Sequence, residues 1–153
     1  MYKTGVTLSR RAAIVIIVDC STSMKKYTMF NGMRIVKAEA AEFITNMLID
    51  ELYERAIRYD ITRYYYDIAI IGFSGDGTYS KLPGIHDFVP IYNFTDFEPQ
   101  PKTYYFDQTL NDGRCIKVPF VIRPWIKAEA HGTSPLFEAM VRTKDLIERW
   151  CAD

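Results

Sequence analysis

The run Ala12 to Val18, AAIVIIV, is apolar at every position and ends on a carboxylate, Asp19. A strand with one face in water alternates apolar and polar residues. A strand apolar at odd and even positions alike is covered on both faces, as in a parallel sheet sandwiched between helices. Such a strand belongs in the middle of its sheet, with a neighbour on each edge. The run is too short to span a bilayer. The Ser-Arg-Arg before it resembles the basic start of a signal peptide, but no small-residue cleavage site precedes Asp19.

The pattern then changes period. From about Met33 to Tyr59, Val36, Ala40, Phe43, Met47 and Leu48 recur at three- and four-residue intervals, with Arg34, Lys37, Glu42, Asp50 and Glu54 on the other side, which predicts an amphipathic helix. Tyr65 to Phe73 returns to β-branched and aromatic residues and stops in the glycine-rich GFSGDG, which predicts a second strand. Strand, helix and strand make a crossover that sets the two strands parallel. The middle of the chain has prolines and aromatics without a clean period, then a turn at Asn-Asp-Gly and a strand from about Cys115 to Ile122. Pro119 marks that strand as an edge. A last helix opens with Ser134 as N-cap and Pro135 at its first position. Leu136, Met140, Leu146, Ile147 and Trp150 form its expected buried stripe. The expected class is α/β, in one domain spanning 1–153.

Hydrophobic residues make up 48% of the 153 positions, enough for one genuine core. Nineteen basic and nineteen acidic residues cancel, so no overall positive field draws in nucleic acid or anionic membrane. Cys20, Cys115 and Cys151 are an odd set without zinc spacing and read as reduced thiols in a cytoplasm. The sequon at Asn93 reads as chance in a loop, and His86 and His131 as ordinary loop histidines.

Chemistry concentrates after the first strand, in Asp19-Cys-Ser21-Thr-Ser23. Ligands gather at the carboxyl ends of strands in open parallel sheets, and alternate residues of an extended stretch point the same way. Three oxygens therefore converge, and all-oxygen ligands favour Mg2+, Mn2+ or Ca2+ over zinc. One carboxylate leaves such an ion short of negative charge, so it seeks an acidic ligand from outside. The same residue types are also common turn formers that bond nearby backbone N–H groups.

The motif Asp19-x-Ser21-x-Ser23 behind a buried strand resembles the metal-ion-dependent adhesion site of von Willebrand factor type A domains. HGTSPLFEAM is similar to that family's later Gly-Thr-Pro loop. The stretch from Asn111 to Met140 is similar to the intracellular bacterial branch akin to tellurium-resistance proteins. The resemblance covers about Arg11 to Trp150. It implies a Rossmann-like three-layer fold and a non-enzymatic binding module, with Asp19, Ser21, Ser23 and Thr133 holding a divalent cation, Mg2+ first, for an acidic residue of a partner protein. It also implies a second aspartate ending a fourth strand, which these residues do not include. The chain thus reads as the N-terminal portion of such a domain, with self-association through an exposed sheet edge as a further expectation.

Two other readings stand beside it. Thr133 also suits a helix cap. A carboxylate ending an apolar strand resembles the nucleophile of Mg2+-dependent haloacid-dehalogenase-like phosphohydrolases as well, though Ser21 stands where their general acid belongs. GFSGDG has the wrong glycine order for a dinucleotide loop. Ser74 and Asp76 within it are placed near the site as supporting groups.

Overall fold

A computed structural model describes residues 10–59, 61–75, 77–84 and 87–153. The chain is mixed α/β. Its strands in order are β1 (Ala12–Asp19), β2 (Tyr27–Phe30) and β3 (Met33–Val36), then helix α1 (Lys37–Ala56), the short β4 (Ile57–Arg58) and β5 (Ile61–Thr62), β6 (Tyr66–Ser74), β7 (Gly77–Ser80), β8 (Val89–Pro90), β9 (Lys102–Thr109) and β10 (Cys115–Ile122). Helix α2 (Leu136–Ala152) closes the series. Short 3-10 segments occupy Thr22–Lys25 and Ile91–Phe97.

β1 and β6 pair in parallel, from Ala12 opposite Tyr66 to Asp19 opposite Phe73, as expected of a crossover. Among the described residues the one strand neighbour of β1 is β6, so the strand expected mid-sheet in a larger domain has an open edge here. The central strand is β6, paired also with antiparallel β7 and β8 and buried at every residue from Asp67 to Ser74. β1 is half-buried along most of its length.

One face of this sheet packs against α1, where Val18, Ile68 and Ile70 meet Ile49, Tyr53 and Ala56 together with Phe94 and Trp125. The odd-numbered residues point away from that cluster, and α2 covers them: the Trp150 indole donates to Asp67 at 2.8 Å, and Arg142 donates to the Thr78 carbonyl at 2.7 Å. The buried line of α2 contains Ala139 and Leu146. Leu136, Met140 and Ile147, expected in the core, are 49%, 56% and 41% exposed. The contact line follows 139, 143, 146 and 150, because the small Ala139 and the polar anchors Arg142 and Trp150 fix the helix's rotation.

The helix read from Met33 begins only at Lys37, because Tyr27–Val36 folds as a hairpin. Its turn is Asn31-Gly32, both at positive φ (48° and 77°). That is the two-residue turn whose twist matches paired strands. α1 also turns differently from its apolar pattern: Met47 and Leu48 are each 43% exposed, whereas Asn46 and Asp50 are buried. The reason is polar. The Asn46 amide donates to the Ile126 carbonyl at 3.1 Å and accepts the Ile126 N–H at 2.8 Å. Asp50 accepts from Trp125 at 3.2 Å and from Arg123 at 2.9 Å. The Asn46 bonds satisfy the backbone of Ile126, in a segment that belongs to no helix or strand, and the Asp50 bonds anchor that segment's side chains.

β10 occupies the expected residues and, with Pro119 in it, pairs among the described residues only with β9. This hairpin and β2–β3 meet on α1 through an aromatic cluster centred on Phe43, whose ring lies 4.5 Å from Phe106 and 5.8 Å from Phe30. α1 is thus held between the sheet and the two hairpins. Replacing Asn46 with Ala leaves both polar groups of Ile126 buried and unpaired. A loss of about 2–4 kcal/mol is expected in urea unfolding, against less than about 1 kcal/mol for Met47→Ala on the open face.

Candidate functional site

β1 and β6 end level with each other, and the chain turns sharply after Asp19. The Asp19 Oδ1 accepts the Ser21 N–H at 2.8 Å, and the Ser21 and Ser23 hydroxyl oxygens lie 2.9 Å apart. The two serine hydroxyls therefore meet, though not by extended alternation, and the Asp19 carboxylate rests on the Ser21 backbone. Ser21 is extended (φ −73°, ψ 166°), whereas Ser23 is brought round by the 3-10 turn Thr22–Lys25. Ser21 is buried, Asp19 half-buried and Ser23 exposed. The turn-forming reading of Asp19 is realised at the same time, through its bond to the Ser21 amide.

A second loop is fastened to this turn by backbone alone. The His131 N–H donates to the Cys20 carbonyl at 2.8 Å, and the Thr22 N–H donates to the Gly132 carbonyl at 2.9 Å. Gly132 has φ +70°, and a Cβ placed on it would lie 2.6 Å from the Gly75 Cα. A Cβ on Gly75 would lie 2.8 Å from the Gly132 Cα and 2.9 Å from the Thr133 nitrogen. Both positions need glycine, one for its dihedral and both for space. Thr133 follows directly, exposed at the loop tip. The cap expectation is corrected: Pro135, not Ser134, holds the N-cap position of α2, and no side chain caps that helix.

Ser74, the last residue of β6, is fully buried, and its hydroxyl has no hydrogen-bond partner among the described residues. A buried hydroxyl without a partner is costly and calls for an explanation. Asp76 and His86 lie outside the described residues. His131 is exposed and joins the loop through its backbone. Among the described residues no three His, Cys, Asp or Glu side chains cluster as metal ligands, so a cation here depends on hydroxyl oxygens.

Beneath the turn lies a polar cluster that the sequence did not disclose. Cys20 is turned into the core at 1% exposure, and burial pushes its thiol pKa up. The Lys81 ammonium, its side chain only 4% exposed, is 3.0 Å from the Glu129 carboxylate and 3.9 Å from the Cys20 sulfur. The Tyr79 hydroxyl donates to Glu129 as well. Burial favours the neutral carboxyl of Glu129, but the bonds from Tyr79 and Lys81 outweigh it and hold the group below the usual carboxylate range. Burial, then the bonds to Cys20 and Glu129, drives the Tyr79 phenol upward. The cluster ties the approach to the His131–Thr133 loop onto β7 and the strand end. Gly72 makes room for it, since a Cβ there would meet the Tyr79 ring at 2.9 Å. A glycine inside a strand signals such a close approach. Lys81 and Glu129 themselves carry no spacing signal.

Compared with known protein families, with characterised proteins and with solved structures, the chain finds no match.

Two outcomes follow from this geometry. Gly113 also has positive φ (+83°) but open space around it, so Gly113→Ala costs about 1–2 kcal/mol. Gly132→Ala costs a further 1–3 kcal/mol or so, since backbone must move as well; equal losses in chemical denaturation would contradict the packing described. For Glu129 the folded-state pKa is depressed, so its contribution to stability is complete above the normal carboxylate range and disappears as pH falls through it. Melting temperature against pH is therefore expected to fall less steeply on the acid side in Glu129→Gln than in the unmodified chain.

Proposed function

We propose that the chain is a von Willebrand factor type A-like binding module in which Asp19, Ser21, Ser23 and Thr133 hold Mg2+ and present it to an acidic residue of a partner protein. The observation that carries this reading is the 2.9 Å spacing of the two serine oxygens. In an octahedron with Mg–O distances of about 2.0–2.1 Å, neighbouring ligands sit about 2.9 Å apart, so the spacing suits Mg2+; the equatorial ligands of seven-coordinate Ca2+ lie at a similar spacing, and the preference for Mg2+ rests on the resemblance. Between free hydroxyls the same distance is an ordinary hydrogen bond, so the pair stays satisfied without an ion and needs only to rotate its protons to take one up.

The loop contacts support the fourth ligand. Thr22, lying between the two serines, is bonded to Gly132, and Thr133 is the next residue. The partnerless Ser74 hydroxyl at the neighbouring strand end supports a polar occupant, ion or ordered water, above β6. The chemistry a bound ion supplies is a net positive charge with a coordination position that these residues leave to others. Asp19 contributes the one formal negative charge of the set, and the hydroxyls contribute geometry. Fixed orientation of an incoming carboxylate follows, with no bond made or broken.

Calorimetric titration tests this. Mg2+ and Mn2+ are expected to bind more tightly than Ca2+, and Asp19→Ala is expected to abolish the signal with the fold retained, at a melting temperature lowered by loss of the bond to the Ser21 amide. Ser23→Ala is expected to weaken binding by at least the roughly 10–100-fold that loss of an outer-shell partner costs. Retention of Mg2+ binding in Asp19→Ala refutes the site. Asp19-dependent, Mg2+-dependent hydrolysis of a generic phosphate ester would replace the binding reading with the phosphohydrolase one.

A further inference from the structure

The hairpin between the serine turn and α1 has a charge the rest of the chain does not share. From Cys20 to Ala38 the sequence carries Lys25, Lys26, Arg34 and Lys37 and not one Asp or Glu, in a chain whose overall charge is zero. All of these basic residues are exposed, and among the described residues none of them makes an ion pair. Elsewhere eight of the fourteen described basic residues are in ion pairs, and Arg123 alone meets Asp50, Glu54 and Glu98.

The hairpin has two different faces. Phe30 and Met33 pack onto the Phe43 cluster. Tyr27 and Met29, on the outward side, are 58% and 67% exposed. Arg34 pairs across the strands with Met29 and lays its guanidinium 4.4 Å over the Tyr27 ring. Lys26, Tyr27, Thr28, Met29 and Arg34 line an open groove of about 520 Å3. Lys26, at the head of this groove, is bonded to the serine turn: its N–H donates to the Ser23 carbonyl at 3.2 Å, and the Lys37 N–H donates to the Lys26 carbonyl at 2.9 Å. A four-residue strand reaches roughly 13 Å, so a segment engaged at the turn has the whole outer face within a few residues' reach.

We infer that the outer face of the β2–β3 hairpin is a docking surface for an acidic polypeptide segment that also presents apolar side chains. The inference rests on the metal-site reading in that the same segment supplies the ion's acidic ligand, and it names that partner's chemistry. Positive charge beside a cation site opposes the cation and favours what comes with it, an anionic partner. Tyr27 and Met29 supply apolar area for the partner to bury. A nucleic acid fits less well: one face of the Tyr27 ring is covered by Arg34, and Met29 offers no stacking plane.

The test uses the full chain and three labelled synthetic peptides of equal length: glutamate with leucine, glutamate with serine, and lysine with leucine. Fluorescence anisotropy is read in Mg2+ and in EDTA, with a single-stranded oligonucleotide of matched charge as competitor. The glutamate–leucine peptide is expected to bind best and to weaken with salt. The combined Lys25→Glu, Lys26→Glu, Arg34→Glu variant is expected to lose about tenfold or more in affinity, and Tyr27→Ser with Met29→Ser a comparable amount. These positions are exposed, so unchanged melting curves certify the fold. The inference is overturned if the charge-reversed chain binds the peptide as the unmodified chain does, if the serine or lysine peptide binds equally well, if no peptide binds, or if the oligonucleotide displaces the peptide. Failure of the metal reading looks different: binding then depends on the hairpin residues but is identical in Mg2+ and EDTA, and Asp19→Ala leaves it unchanged.

Discussion

Two glycines in backbone contact hold the candidate site together. Gly75 follows the end of β6, Gly132 opens the loop before α2, and the absence of a side chain on either lets the two stretches touch. Everything above the sheet depends on that approach. It lets the Gly132 carbonyl reach the Thr22 amide and the Cys20 carbonyl reach the His131 amide. Those bonds bring the loop that carries Thr133 beside the turn that carries Asp19, Ser21 and Ser23, more than a hundred residues earlier. Backbone contacts of this kind tolerate side-chain change but not a Cβ, which concentrates the demand on two positions.

The electrostatics run in one direction. Asp19 is the one carboxylate in the candidate set, and the chain after it gains four basic residues before the next acid, Glu39. Beneath the turn, Lys81 is neutralised by Glu129 inside the protein, so this buried charge is balanced locally. The exposed ones are not. A site with one negative ligand inside a basic surround attracts an anion more strongly than it holds a bare cation, and that asymmetry suits a docking surface whose ion and partner bind together.

Much of this was legible in the residues. The apolar run Ala12–Val18 and the strand–helix–strand order correctly called a strand joined in parallel to the Tyr65–Phe73 segment, and Pro119 correctly marked β10 as an edge strand, although of a separate two-stranded sheet. The more deeply buried strand is β6 rather than β1, which the sequence conceals because β6 hides Asp67 and Gly72 among its aliphatics and so reads as less apolar. The Asn31-Gly32 turn was in plain view, yet a helical period laid over Met33–Val36 concealed it. Periodicity also misjudged both helices, since Asn46 and Asp50 on α1 and Arg142 and Trp150 on α2 are oriented by partners distant in sequence. The serine convergence was legible from spacing, although a 3-10 turn completes it. The Gly75–Gly132 contact and the Tyr79–Lys81–Glu129 cluster were not, because each joins segments whose proximity only the fold creates.

Paramagnetic broadening by Mn2+ in the amide spectrum of the chain bears on this most sharply. A single ion shared by both loops broadens the amides of Ser21 to Ser23 and those of Gly132 and Thr133 together, at the same Mn2+ concentration, and Asp19→Ala removes both effects at once. Broadening confined to one loop, or unaffected by loss of Asp19, would contradict a common ion and leave two adjacent turns without a shared purpose.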